Sequence, residues 1–299
     1  MSKLDAYLKH AIACERYGNN TKEKVLKLLR LLYKEIEDIL RRTTNISSKK
    51  KYEEVFKEIK ECLTDYKTST LSILEKAQEI IVDSETSWLS DILADIGSVV
   101  IPASLASTVR FSPVSTAVNA EEMVKQSVYK LERQINVALR STLIAQNDTE
   151  LVIDALNNSK KAIERQIEND VIAHNETSFK VVDYLMYRAN KTKVTYCSIL
   201  DDRTCIECGE YNGMEFDPKE APLLPIHNRC RCLLIPTALI NDQNLTSYSD
   251  WVESLDDKEK LSVLGKTRFQ LYKTGIPVTS FVNDGSLIPV AELKDLYED

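Results

Sequence analysis

Between Lys22 and Arg42 the apolar positions Val25, Leu28, Leu29, Leu32, Ile36 and Ile39 recur at intervals of three and four, the spacing of one helix face. Thr21 is placed to cap this helix, because its hydroxyl can accept from an unpaired N–H of the first turn. The same spacing predicts helices over 51–63 and 71–82, and a fourth that starts near Glu85 and fades at Gly97. From 97 to 118, Ser, Thr, Ala and Val replace Lys and Glu, and Pro102 and Pro113 interrupt; this reads as a linker holding a short extended segment. Asn119, with Glu122 three residues on, approximates a capping box. The helix it opens runs through Met123, Val128, Leu131, Ile135 and Leu139 to about Ala145. A further long helix is predicted from Thr149 to Arg188 through Ile153, Leu156, Ile163, Ile167 and Ile172.

At Lys193 the period changes. VTYCSIL is rich in β-branched and aromatic residues and predicts a strand. Asn212-Gly213, flanked by Tyr211, Met214 and Phe216, reads as a two-residue hairpin turn, and Cys232-Leu-Leu-Ile as a second strand. Helix returns after Ser249 with Trp251, Val252, Leu255, Leu261, Leu264 and Phe269, and again near Val290 to Leu296. The pattern is that of an α+β protein. A mostly helical N-terminal region (1–96), a linker (97–118) and long helices (119–192) precede a small β-containing module with C-terminal helices (193–299).

Composition changes this picture in three places. With 43% hydrophobic and 28% charged residues, the chain is globular in type and shows no signal-peptide pattern at its N-terminus. Its most apolar window, Trp88 to Ala106, is interrupted by Asp91, Asp95, Gly97 and Pro102, so a buried or partner-contacting segment is expected there rather than a membrane span. The net charge of −7 is uneven: residues 1–60 carry 15 Lys/Arg against 9 Asp/Glu, with Arg41, Arg42 and Lys49 to Lys51 sharpening the basic end. That end reads either as a phosphate-facing surface or as a solvated helix face. Only Tyr52 adjoins the lysine run, which gives base stacking little support.

Five of the seven cysteines fall between Cys197 and Cys232. Cys14 and Cys62 lie in helical patterns and read as small buried hydrophobes. Cys205-x2-Cys208 puts two thiols on one tight turn, and His227-x2-Cys230 puts an imidazole and a thiol on another, with 18 residues between the two pairs. This is the layout of a tetrahedral zinc site. Cys230 and Cys232 point the same way in an extended strand, so either can complete the set with Cys205, Cys208 and His227. Four protein ligands close a site against water, which makes it structural rather than catalytic. Three other readings are available. A redox pair at Cys205 and Cys208 lacks its βαβ context. A zinc-supported nuclease lacks further ligands, since only His10 and His174 remain. The third is a fold that holds with reduced thiols and no metal. Asp201, Asp202 and Arg203 read either as support for the first ligand turn or as a solvated surface turn, and Arg231 is placed to offset thiolate charge.

The ordered residues D-D-R-T-C-x2-C (Asp201 to Cys208), N-G-M-E-F (Asn212 to Phe216) and P-x-H-x2-C-R-C (Pro225 to Cys232) resemble the central motif of the phage Mu F-like head morphogenesis proteins, also called minor capsid or minor head proteins. S-Y-S-D-W-V (Ser247 to Val252), L-G-K-T-R-x2-L-Y-x2-G (Leu264 to Gly275) and F-V-N-D-G-x-L-x4-E-L (Phe281 to Leu293) are similar to that family's C-terminal stretch, so residues 180–299 are covered. The resemblance implies a non-enzymatic structural protein of a tailed-phage virion, at the portal vertex or in the head interior. It would be made in the host cytoplasm, would act in head morphogenesis and, as in some members, would be ejected with the DNA. Its expected partners are the portal, capsid and scaffold proteins, with packaged DNA reached through the basic N-terminal region. The family's Cys/His pairs match here, which implies structural zinc. The contrasting expectation is a zinc-supported nucleic-acid-binding or nuclease effector delivered into the cell. No triad, acid/base pair or phosphate loop is visible, so no catalytic residue is expected.

Overall fold

The computed structural model describes residues 3–43, 45–97, 99–110, 119–145, 149–227, 229–240, 245–283 and 286–297. It is a mostly helical α+β fold whose small antiparallel strands all lie in the C-terminal half. The chain forms two compact units. One comprises Met1–Lys9, Trp88–Pro102 and Asp183–Asp299; the other comprises His10–Ser87 and Ala103–Val182.

The second unit is built from α1 (Lys3–Arg42), α2 (Lys49–Ala94), α3 (Leu105–Arg110), α4 (Ala120–Ala145) and α5 (Glu150–Asn190), of which α1, α2 and α5 also supply residues to the first. The helix face read from the sequence is its core: Val25, Leu29, Leu32, Ile36 and Ile39 of α1 pack with Ile59, Leu63 and Leu74 of α2, Leu131 and Ile135 of α4, and Ile153 and Ile167 of α5. Asn119 caps α4 as expected, its Oδ1 accepting from the Glu122 N–H at 3.0 Å.

Three local expectations differ from the fold. Thr21 lies inside α1 rather than at its start, and its hydroxyl donates to the Tyr17 carbonyl at 3.2 Å. The separate helices expected between 51 and 97 are one helix, α2, because neither glycine nor proline falls within it. Its Thr64 and Thr68 hydroxyls bond back to the carbonyls of Lys60 and Thr64 instead of capping a new start. Inside the expected linker, α3 stands where an extended segment is predicted, since burial of Leu105 and Val109 one turn apart favours helix. The rest of that linker, 111–118, lies outside the described residues.

The basic stretch is locally compensated. Arg41 pairs with Glu37 and Glu150, Arg42 with Glu58, Lys49 with Glu53, Lys51 with Glu54 and Lys60 with Glu132. Among the described residues, no helix is long and apolar enough to cross a membrane.

The first unit holds a three-stranded antiparallel sheet in the order β2 (Glu215–Phe216), β1 (Val194–Cys197), β3 (Leu233–Pro236). Thr195 lies opposite Ile235 on one side and Glu215 on the other. One end of the sheet packs Cys197 and Ile235 with Tyr7 and Ile240, and the Trp88 ring meets Tyr7 edge-on at 4.6 Å. Beyond the sheet come α7 (Tyr248–Ser254), α8 (Asp257–Lys273), the hairpin β4 (Val282–Asn283) and β5 (Ser286–Leu287), and α9 (Val290–Tyr297). Their core is Tyr248, Val252, Leu264, Ile276, Val278, Phe281 and Leu293, which also takes in Ile206 from α6 (Ile206–Glu210). The Asp256–Glu259 capping box starts α8, and Gly265, at φ +72°, breaks it.

Candidate metal centre

The Cys205 turn is the first half of the site. Cys205 sits in extended backbone and caps α6, its Sγ accepting from the Cys208 N–H at 3.3 Å. The helix turn this begins brings Cys208 back beside Cys205. Gly209 follows because nothing larger fits: a Cβ there would lie 2.2 Å from the Tyr248 ring. The second half is the turn from His227 to Cys230, closed by the Cys230 N–H donating to the His227 carbonyl at 3.1 Å. Arg229 adopts a left-handed backbone in this turn, at φ +63°.

All five residues expected from sequence meet here, as two triads sharing Cys208. Cys205, Cys208 and His227 form one; Cys208, Cys230 and Cys232 form the other, and within each the donor atoms lie within 4.8 Å of one another. His227 Nε2 is 3.1 Å from Cys205 Sγ and 3.0 Å from Cys208 Sγ, and Cys208 Sγ is 3.8 Å from Cys230 Sγ. Two thiolates bound to one tetrahedral zinc at about 2.3 Å stand about 3.8 Å apart, so the last separation fits without adjustment. The two shorter distances open by about 0.5 Å when an ion replaces the hydrogen bonds. The Cys/His cluster can hold a metal ion.

The thiols perturb one another strongly. Cys205 is pulled down to about 6 by hydrogen bonding from the Cys208 thiol, with the Cys208 N–H and His227 adding to it. Cys208 is pushed up, because its thiol serves Cys205, Cys230 and Cys232 as a proton donor. Cys232 is held down by Cys208 but raised further by Cys230 and by burial. Of these three thiols Cys205 is lowered, whereas Cys208 and Cys232 are raised. A divalent cation bound here would deprotonate its thiol ligands outright.

Other side chains brace the cluster. Arg231 forms a two-pronged pair with Asp201, at 2.8 and 2.5 Å, tying the loop ahead of the first turn to the second. Asp201 also accepts from the Arg203 N–H, and the Arg231 guanidinium holds its carboxyl below the usual range. Asp201 thus braces the ligand turn, whereas Asp202 and Arg203 are exposed, as the surface-turn reading expects. The Asn212-Gly213 turn forms, with Gly213 at φ +84°, but it is not a hairpin: helix α6 leads into it, and β2 pairs with β1. The reason is the helical turn that Cys205 and Cys208 occupy. Asn212 joins Ser198 to the Thr246 carbonyl through bonds of 2.7 and 2.8 Å.

Sequence reasoning missed Tyr196 and Tyr248 as neighbours of the cluster. Both are buried, and burial together with nearby cysteine charge (Cys232 and Cys230 at Tyr196, Cys205 and Cys208 at Tyr248) raises both phenols. Tyr196 lies in the strand next to the second ligand segment, and alternation along β1 was the available signal. Cys197 is the one clustered cysteine outside both triads, and burial pushes it up to about 12. Comparison of the chain with protein families, with curated proteins and with solved structures found no match.

Proposed function

We propose that this chain is a minor head protein of a tailed phage, and that a structural zinc ion pins its Cys/His module. The reading rests on the sequence resemblance. The observation that carries it is convergence: Asp201 with Arg231, Cys205 and Cys208 with His227 and Cys230, and Gly209 with Tyr248 are scattered through the motif yet meet around one centre. Zinc would be held by Cys205, Cys208, His227 and Cys230. Cys230 is favoured as the fourth ligand over Cys232 by its 3.8 Å spacing from Cys208 and by the turn it shares with His227. The ion supplies cross-linking and no reaction. The protein would act by binding the portal and capsid proteins during head assembly, with packaged DNA a further partner of the basic N-terminal stretch.

The test is made in particles. Antibody labelling of purified virions should place the chain at the portal vertex or inside the head, and emission spectrometry should find zinc with it. A chain absent from virions that instead degrades nucleic acid, and loses that activity but not its fold in His227→Ala, would replace this reading with the effector one.

A further inference from the structure

A second cluster of metal-ligating groups lies in the helical unit, far along the chain from the first. His10 and Cys14 are one turn apart on α1, and Glu85 faces them from α2. His10 Nε2 is 2.7 Å from Glu85 Oε2 and 3.4 Å from Cys14 Sγ, and Cys14 Sγ is 3.8 Å from Glu85 Oε2. The Glu85 side chain is only 2% exposed, whereas that of His10 keeps 20%. A carboxyl buried to this degree is paired, bound to a metal or protonated.

Two kinds of chemistry fit a Cys, a His and a Glu, and the geometry separates them. In a nucleophilic relay the thiol and the carboxylate address opposite ring nitrogens, so that one accepts the proton while the other orients the ring. Here both approach Nε2, so the three donors converge on one point. That is the arrangement of ligands around a cation. For a tetrahedral ion with bonds of about 2.0 Å to N and O and 2.3 Å to S, the N···S and S···O edges are about 3.5 Å. The observed edges lie within about 0.3 Å of this. The N···O edge must widen by about 0.6 Å, a small side-chain movement when an ion takes the place of the proton.

We infer that His10, Cys14 and Glu85 form a second site for a borderline divalent cation of the zinc type. The mixed soft and borderline donor set disfavours magnesium and calcium. Three protein donors leave a fourth position for water, unlike the closed set around Cys208. Cys14 is then a ligand and not the small buried hydrophobe that its helical pattern suggests; it is only partly buried.

The experiment is cobalt(II) titration of the full chain, read by the thiolate-to-cobalt absorption band and by metal analysis. The wild-type chain, Cys14→Ser, Glu85→Gln and the double variant Cys205→Ser/Cys208→Ser are compared, with circular dichroism as the folding control. The expected result is about two equivalents in the wild type and about one in Cys14→Ser, with Glu85→Gln weakening one equivalent about tenfold or more. An equivalent that survives in Cys205→Ser/Cys208→Ser but not in Cys14→Ser supports the site even if the Cys208 cluster holds no metal. If Cys14→Ser and Glu85→Gln bind as the wild type does, or if the wild type binds no more than its Cys208 cluster accounts for, the trio is an ion pair beside a thiol and the inference fails. Should Cys14→Ser not fold, Glu85→Gln decides, since it keeps a hydrogen-bonding partner for His10.

Discussion

In the helical unit, Leu29, Ile36, Ile59 and Leu74 are buried among other aliphatic side chains drawn from four helices. Around Cys208 the buried groups include thiols and tyrosines, held on short turns beside a three-stranded sheet whose longest strands have four residues. The first region is held by area removed from water, a diffuse quantity shared by many residues. The second concentrates its cohesion in a few polar donors that attract one another only when something positive, a proton or an ion, lies between them. Damage should therefore be graded in the helical unit and all-or-none in the Cys/His module.

The largest expected effect breaks the module alone. Cys205→Ser/Cys208→Ser should abolish metal binding at the cluster, a loss on the order of 10 kcal/mol if the ion is a structural zinc. Limited proteolysis should then cut within 193–240 while the helical unit stays resistant, and zinc chelation of the wild type should produce the same pattern. A module that resists protease equally well without metal would erase the contrast.

Next comes Leu29→Ala in the helical core, which should cost about 3 kcal/mol and lower the melting temperature. Chelator should leave that loss unchanged. Gly209→Ala should cost about 2 kcal/mol, because the new methyl group must displace the Tyr248 ring, and should loosen metal binding at the same time. A Gly209→Ala chain that melts earlier but holds metal as tightly would uncouple the C-terminal helices from the ligand turn.

The smallest effect is Asp201→Asn, at about 1 kcal/mol for a partly exposed pair. Its sign with pH is fixed. Arg231 lowers the folded carboxyl, so the stabilisation is present above the unfolded value of about 4 and is lost as pH falls through the lower folded one. Acid titration of the wild type and Asp201→Asn, followed by tyrosine fluorescence, should show the two curves merging below that range.

What sequence made legible follows the range of each interaction. The Cys205 and His227 turns are local, so spacing alone revealed them, and the apolar faces of α1, α4 and α5 follow from periodicity. The Asp201–Arg231 pair spans 30 residues and the Cys14–Glu85 contact spans 71, and no local pattern encodes either. The extent of α2 was misjudged for a different reason: the sequence between 63 and 71 is polar apart from Tyr66, yet it holds no glycine or proline to end the helix. The Asn212-Gly213 turn was read correctly as a turn but given the wrong partner strand, since the pairing of β2 with β1 depends on what α6 does in between.

The division of the chain also sets an order of events during synthesis. Every residue of the helical unit has been made by the time Val182 leaves the ribosome, whereas the other unit joins segments from 1–9 and 88–102 to residues after 183. Its first segments must wait, already translated, for the strands and thiols that complete them. The Cys205 to Cys232 stretch is therefore made only after the helical unit is complete, so any ion bound there would be captured after that unit is able to fold.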